Sequence, residues 1–168
     1  MREIQLYHYS RAIVNNIKKL GLVVRDKNTI RQEFLSSYRD NLSPHLKHYF
    51  TSAWNDEIDD EINGIWFLSS RPNEGCSCIR PLISMYGGEA ISMCADSDDE
   101  AEFFLKAIGE PIEVVCRVSL DDPKLMSFGN GEHCLARNIL PSEILSINNI
   151  GMYQLYLLHS ALFLSGIE

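Results

Sequence analysis

The amino-acid sequence lacks any apolar run long enough to cross a membrane, because no stretch reaches the roughly 20 apolar residues that a spanning helix requires. The apolar segment 152–167 is short and interrupted by Gln154, His159 and Ser160, which favours a packing helix over an anchor. The first residues also lack the apolar run of a signal peptide. We therefore expect a cytoplasmic protein with no membrane segment.

An excess of positive charge is missing as well, since 15 Lys and Arg against 23 Asp and Glu give a net charge of -8. Duplex nucleic acid is bound mainly by Lys and Arg that displace counterions, so this balance argues against bulk nucleic-acid binding. A local basic groove stays open, because cations concentrate near the N-terminus: Arg2, Arg11, Lys18, Lys19, Arg25, Lys27 and Arg31. The acidic run 56–61 is typical of a solvated surface, with a partner-binding or inhibitory loop as the alternative.

The five cysteines, Cys76, Cys78, Cys94, Cys116 and Cys134, are an odd number in a chain without a secretory leader. We therefore expect free, buried thiols in a reducing compartment. The Cys76-x-Cys78 spacing, even with His133-Cys134, fits no standard zinc site, so no metal is expected. His133 and Cys134 are neighbours on a predicted strand and should face opposite sides, which argues against a catalytic Cys–His pair.

Hydrophobic periodicity predicts a single α+β domain over residues 1–168, with helices early and strands late. Residues 4–9 alternate as a strand, Ser10 is the predicted N-cap of the next helix, and Gly21 is its predicted end. Residues 29–63 are predicted to be mostly helical, with a helix that begins at Pro44. An acidic-started helix is predicted at 96–108. Further strands are predicted at 65–68, 112–120 and 133–138, and a hairpin turn at 86–89, flanked by 81–85 and 90–93.

Three separated stretches carry a histidine, an aromatic residue and a glutamate: Leu-Tyr-His-Tyr-Ser at 6–10, Gly-Ile-Trp-Phe-Leu-Ser at 64–69, and Gly-Glu-His-Cys-Leu at 131–135. The first, with the Ile-x-x-x-Gly-Leu pattern at 17–22, resembles the opening of diphtheria-toxin-like and poly(ADP-ribose)-polymerase-like ADP-ribosyltransferases. The second resembles their Gly-Ile-Tyr-Phe strand. The third is similar to the late strand that opens with the catalytic glutamate, and residues 139–144 are similar to the proline-containing segment that follows it.

This resemblance implies a split antiparallel β-sandwich with helices packed on the sheets. It also implies a transferase that uses NAD⁺ as substrate, cleaves the nicotinamide–ribose bond and passes ADP-ribose to a macromolecule. A protein is the expected acceptor, with water as the default. A bacterial or phage effector or toxin, delivered into the cytosol of a target cell, fits the same resemblance.

Carried over to this sequence, the resemblance assigns His8 to the ribose hydroxyls of NAD⁺, and a neutral imidazole suits that role because one nitrogen donates and the other accepts. The backbone of Tyr9 would bind the nicotinamide carboxamide, with Ser10 as a supporting hydroxyl. Trp66 would stack on the nicotinamide ring. Glu132 would stabilise an oxocarbenium-like transition state as an ionised carboxylate.

Tyr86 is a further candidate for NAD⁺ binding, if the 86–89 loop lies near the pocket, and Glu89 in that loop is a second candidate carboxylate. A plain turn is the alternative. His8 and Trp66 taken alone also read as core residues, and Glu132 as a turn carboxylate.

The sequence departs from the family pattern at three positions. Asn130 stands where arginine-specific relatives carry Glu or Gln, which leaves the acceptor open. Trp66 replaces a tyrosine. Tyr9 replaces a small glycine and is expected to narrow the nicotinamide site. These departures motivate two alternatives: a catalytically degenerate module that binds ADP-ribose-like ligands, and an effector that acts by protein contact, with the acidic run 56–61 mimicking a polyanion.

Overall fold

The computed structural model describes residues 2–54, 63–72, 77–92 and 98–151. The acidic run 56–61, the thiols of Cys76 and Cys94, and the apolar segment 152–167 lie outside these residues, so the expectations for them stay predictions. Within the described ranges, no helix is long and apolar enough to cross a membrane.

The described residues form a six-stranded antiparallel sheet and a set of mostly short helices, which confirms the predicted α+β class. The strands are β1 (Glu3–Ala12), β2 (Ile65–Leu68), β3 (Glu110–Ser119), β4 (Leu125–Ser127), β5 (Glu132–Leu135) and β6 (Ile144–Asn149). The helices are α1 (Val14–Leu20), α2 (Lys27–Tyr38), α3 (Pro44–Ala53), α4 (Arg80–Ser84), α5 (Gly88–Ile91) and α6 (Asp99–Lys106). Short 3₁₀ turns occupy Ser77–Ile79 and Pro141–Glu143.

The sheet, in the order β4-β5-β2-β1-β3-β6, consists of two halves. β1 pairs with β3 along all of its 10 residues, and β2 pairs with β5 along all of its 4. Between β1 and β2, however, only Tyr7 and Leu68 are paired. We call this pair the joint, because among the described residues it alone connects the β4-β5-β2 half to the β1-β3-β6 half through a strand ladder.

Each face of the sheet has its own apolar cluster and its own helix. On one face, which we call the α1 face, Leu6 and Phe67 pack with Ile17 of α1 in the main core. On the other, the α4 face, Tyr9 packs with Ile83 of α4. Strand alternation therefore places even-numbered residues of β1 on the α1 face and odd-numbered ones on the α4 face.

The remaining helices enclose a second core built around aromatic side chains. Its buried members come from α2, α3, α5, α6 and their connections: Phe34, Leu42, Leu46, Phe50, Ala90, Ile91, Ala101, Leu105 and Ile108. Arg11 of β1 ties this helical cluster to the sheet, because its guanidinium donates to the carbonyls of Lys106 and Ile108 at the C-terminal end of α6.

Local helix signals in the sequence are confirmed. Ser43 caps α3 ahead of Pro44 by accepting from the N–H of Leu46 at 3.1 Å. Asp98 caps α6, whose first turn is acidic as predicted. Gly21 ends α1, and its N–H donates to the carbonyl of Ile17.

Two local predictions are wrong. Ser10 is not a helix N-cap: β1 continues to Ala12, because Ser10 is held in register opposite Ile112 of β3. The hairpin predicted around residues 86–89 is replaced by α4 and α5, separated by Gly87 at φ 87°. The signal for a helix was the four-residue spacing of Ile79 and Ile83, which turns both side chains toward the α4 face. The prediction of a hairpin did not take this spacing into account.

The thiol prediction holds in part. Cys116 and Cys134 are free and buried, and burial raises the pKa of Cys116 to about 12 and that of Cys134 above its usual value. Cys78, in contrast, is disulfide-bonded, so the expectation of free thiols is wrong for this residue.

We expect Gly21→Ala to destabilise the fold strongly. Gly21 has φ 78°, and a Cβ there would lie 1.8 Å from the carbonyl oxygen of Ile139, where Leu22 and Ile139 form a β-bridge. Positive φ alone costs a non-glycine residue roughly 1–3 kcal/mol, and the backbone clash adds to it. Urea unfolding should show this loss of stability. Gly129→Ala should change stability by less than about 0.5 kcal/mol, because no neighbouring described atom lies within 4 Å of a Cβ added there. Equal midpoints for the two variants would contradict this account.

Candidate functional site

The three motif stretches meet at the centre of the sheet. Glu132 of β5 is directly opposite Leu68 of β2, which is opposite Tyr7 of β1. Neighbouring strands lie about 4.8 Å apart, so the backbones of Glu132 and Tyr7 are separated by about 10 Å. Residues distant in the sequence therefore form one row, Glu132–Leu68–Tyr7, across three adjacent strands, and the joint is the Leu68–Tyr7 part of this row.

The hydrogen-bond pattern of β1 fixes the direction of its backbone groups. The N–H of Leu120 donates to the carbonyl of Arg2 at 2.8 Å, so even-numbered residues of β1 exchange hydrogen bonds with β3. Pro111, which has no N–H, stands opposite the odd-numbered Arg11 and agrees with this alternation. The N–H and C=O of Tyr7 and Tyr9 therefore point away from β3, toward β2.

The same argument applies to β2 from its other side. The N–H of Ser69 donates to the carbonyl of Gly131 at 2.9 Å, so odd-numbered residues of this segment bond to β5. The backbone groups of Leu68 and Trp66 therefore point toward β1. At the joint the backbone groups of Leu68 pair with Tyr7, but the ladder ends there, so those of Tyr9 and Trp66 are directed toward each other without pairing. We call this interruption of the ladder, between Tyr9 and Trp66, the slot.

The side chain of His8 donates to the carbonyl of Trp66, to which the N–H of Tyr9 would donate if the ladder continued. Its Nδ1 lies 3.0 Å from the carbonyl oxygen of Trp66, and a carbonyl only accepts, so Nδ1 donates. In the neutral ring Nε2 is then the acceptor. Burial lowers the pKa of His8, and this hydrogen bond raises it by a smaller amount. The net lowering of the pKa favours the neutral form of the ring. The ring packs edge-on against Phe67 at 5.8 Å, on the α1 face.

Trp66 is a surface aromatic residue rather than a core residue. Its side chain is 43% exposed and stacks on Phe128, with ring centroids 5.2 Å apart and planes 24° from parallel. Phe128 lies in the β4–β5 loop, where its N–H donates to the carbonyl of Glu132 at 2.8 Å. The loop that leads into Glu132 thus also supports the indole ring.

Glu132 is half-buried at the start of β5, on the α4 face with Tyr7 and Trp66. The side-chain amide of Asn130 donates to its Oε2 at 2.8 Å, and the Oδ1 of Asn130 accepts from the N–H of Glu132 at 3.2 Å. Asn130 therefore orients the carboxylate without adding a second one. His8 points to the opposite face, so Glu132 and the imidazole approach the slot from its two sides.

The sequence reasoning missed a second carboxylate on the same face. Glu113 of β3 is buried and accepts four hydrogen bonds: from the hydroxyl of Tyr9 at 2.8 Å, from Nε and Nη2 of Arg71 at 2.9 Å each, and from the amide of Asn148 at 2.9 Å. The guanidinium of Arg71 also lies 5.0 Å from the ring centroid of Tyr7. An acid inside the otherwise apolar strand segment 112–116 was the available signal.

This network sets the ionisation of its members. Burial alone would raise the pKa of Glu113, but the hydrogen bonds from Arg71, Asn148 and Tyr9 outweigh it, and the pKa lies below its usual value. Burial and the bond to Glu113 raise the pKa of Tyr9. The side chain of Tyr9 is thus committed to Glu113, and only its backbone faces the slot, so the predicted narrowing by the ring does not occur there.

Three further candidates from the sequence are Ser10, Tyr86 and Glu89. Ser10 lies in β1, opposite Ile112 and two residues after His8 on the same α1 face. Tyr86 packs in the helical cluster, 6.3 Å from the ring of Phe34 and 6.0 Å from that of Tyr38. Glu89 falls in α5. Among the described residues, no group of three or more His, Cys, Asp or Glu is arranged to hold a metal ion.

In comparisons with known proteins, the chain matches no protein-family model, no curated protein and no solved structure.

The slot predicts a specific pattern of amide exchange along β1. The N–H of Tyr7 is in the joint, whereas that of Tyr9 lies beyond the ladder, so we expect Tyr9 to exchange with solvent much faster than Tyr7. NMR-detected hydrogen exchange measures both, with Leu6 and His8, which bond to β3, as protected references. Equal protection of Tyr7 and Tyr9 would contradict an open slot.

The Glu113 network predicts a pH-dependent stability difference. Glu113→Gln should destabilise the protein by roughly 1–3 kcal/mol at pH 7, because it weakens a buried, charge-assisted acceptor. The folded pKa is lowered, so the contribution of the carboxylate is full above the usual Glu pKa of about 4.3 and fades as the pH falls through the lower folded value. Urea unfolding at several pH values should therefore show the two proteins converging in acid. Glu3→Gln, which removes an exposed pair with Arg117, should show little difference at any pH.

Proposed function

We propose that this protein is an NAD⁺-dependent ADP-ribosyltransferase, and the slot is the observation that carries the proposal. A primary carboxamide has a carbonyl that accepts and an amino group that donates. The backbone of Tyr9 offers the complementary N–H and C=O toward the slot. The amide of nicotinamide can therefore bind there as a neighbouring strand would.

Side chains around the slot complete the substrate site. Trp66 supplies an exposed aromatic face for the nicotinamide ring, supported from behind by Phe128. The Nε2 of His8, left as an acceptor by the bond from Nδ1 to Trp66, accepts from a ribose hydroxyl.

Glu132 is the catalytic residue of this proposal. The bond between ribose C1′ and the nicotinamide nitrogen breaks, and its electron pair leaves with neutral nicotinamide. The ribosyl carbon gains cationic character, which the ionised carboxylate of Glu132 stabilises. An acceptor nucleophile then bonds to C1′ and loses its proton. Asn130 holds one carboxylate oxygen, so the orientation of Glu132 is fixed before substrate arrives.

The division of the sheet supports an ADP-ribosyltransferase-like split sandwich as the finer description of the fold. Two three-stranded halves meet at one register position, with helices on both faces. The proposed acceptor is a protein, in keeping with an effector that acts in a cytosol, and water is the default acceptor in its absence.

The test is nicotinamide release from NAD⁺ by the purified full chain, with mass spectrometry for ADP-ribosylated protein. Glu132→Gln removes the charge but keeps the shape, so turnover should fall by about 10²–10³-fold, the usual effect of losing one such electrostatic group. NAD⁺ affinity measured by calorimetry should change by only a few-fold. Glu3→Gln, an exposed strand carboxylate paired with Arg117, is the matched control and should retain full turnover.

Unchanged nicotinamide release by Glu132→Gln would reject its catalytic role. Binding of NAD⁺ or ADP-ribose by the unmodified chain without any nicotinamide release would replace the transferase with a binding module of the same shape.

A further inference from the structure

The joint leaves the angle between the two half-sheets underdetermined. A ladder of several residues fixes both the distance and the twist between strands, whereas the single pair Tyr7–Leu68 fixes little more than one distance. Other contacts must therefore hold the halves in place.

On the α4 face, one side chain crosses from one half to the other. Arg71 follows the last residue of β2, Leu68, by three positions. Its guanidinium nevertheless passes the ring of Tyr7 on β1 and reaches Glu113 on β3. Both partners use two atoms, since Nε and Nη2 donate to the two carboxylate oxygens at 2.9 Å each. Such a bidentate pair fixes orientation as well as distance.

The receiving end of this contact is rigidly anchored. Glu113 is buried and also accepts from Tyr9 of β1 and Asn148 of β6, so it is fixed to all three strands of its half. The side chain of Arg71, in contrast, is 58% exposed. The Arg71–Glu113 ion pair therefore fixes the position of the segment that follows β2 relative to the β1-β3-β6 half.

A second contact spans the halves on the opposite face, where the imidazole of His8 donates to the carbonyl of Trp66. The two contacts lie on either side of the sheet and flank the joint. A contact on one face alone would let the two half-sheets tilt relative to each other. Contacts on both faces hold the slot, between Tyr9 and Trp66, at one width.

We propose that Arg71 and Glu113 form a clamp that sets the width of the slot, and that both are positioning residues for the substrate. The effect on catalysis rests on the proposed function, because Tyr9 belongs to one half-sheet and Trp66 and Glu132 to the other. The clamp itself is a property of the fold and is measured without substrate.

The test uses Arg71→Lys and Arg71→Gln in the full chain. Lysine keeps the charge but has no planar fork, and glutamine loses both, so both variants lose the bidentate contact. Arg117→Lys is the matched control, because Arg117 pairs with Glu3 within one half-sheet at 3.6 Å. Hydrogen exchange should show the Tyr7 amide at the joint exchanging at least about 10-fold faster in both Arg71 variants, with the β1–β3 amides of Leu6 and Val114 unchanged.

Kinetics with NAD⁺ provide the second readout. A misplacement of about 1 Å can cost about 100-fold in rate, so kcat/KM should fall by 10- to 100-fold in both variants, with KM raised. A variant that is merely less folded would lower kcat and leave KM unchanged, which separates positioning from stability.

Unchanged exchange at Tyr7, or a uniform rise along all strands, would overturn the clamp. Selective exchange at Tyr7 with an unchanged KM would keep the contact but overturn its positioning role. If the Arg71 variants show selective exchange at Tyr7 but the unsubstituted chain releases no nicotinamide, the clamp is established and the proposed function is rejected. The two failures are therefore distinguishable.

Discussion

The backbone pair between Tyr7 and Leu68 is the constraint on which the rest of the structure depends. β1 is bonded to β3 along its whole length, yet to β2 at one position only. Backbone groups that leave a ladder need other partners, and buried ones without partners are costly. Here His8 satisfies the carbonyl of Trp66, while the N–H and C=O of Tyr9 point toward β2 beyond the end of the ladder. The ladder between the half-sheets is therefore interrupted at the centre of the sheet, and peptide groups border the interruption.

Two carboxylates on the α4 face differ in what surrounds them, and this difference separates their roles. Glu113 is buried, accepts four hydrogen bonds and has its pKa lowered by them, so its oxygens are fully used. Glu132 is half-buried, and its side chain accepts from Asn130. A carboxylate paired with a guanidinium has its charge balanced and holds structure, whereas one that accepts from a neutral amide can still stabilise a cation beside it, as the proposed function requires of Glu132.

The sequence predicts the features that depend on neighbouring residues and misses those that depend on distant ones. The helix end at Gly21, the helix start at Pro44 and the acidic start of α6 depend on local signals, and these predictions are confirmed. The extent of β1 past Ser10 is decided by β3, about a hundred residues away, and was missed. The contact between Arg71 and Glu113 depends on strand order, which no periodicity reveals. Residue types and spacing made the motif residues candidates, but they did not predict the faces of the sheet on which these residues lie.

The three departures from the pattern of the family that the sequence resembles have local physical explanations that remove their apparent conflict with the proposed chemistry. Tyr9 is bulky, but its side chain turns to Glu113 on the α4 face, so only its backbone borders the slot, as a glycine backbone would. Trp66 is larger than tyrosine, and Phe128 stacks on it and supports the larger ring. Asn130 stands where arginine-specific relatives carry Glu or Gln, and its amide donates to Glu132, so it orients this carboxylate without adding a second charge. A second carboxylate two residues before Glu132 would lack that donor, so the amide of Asn130 is compatible with the proposed role of Glu132 at the ribose.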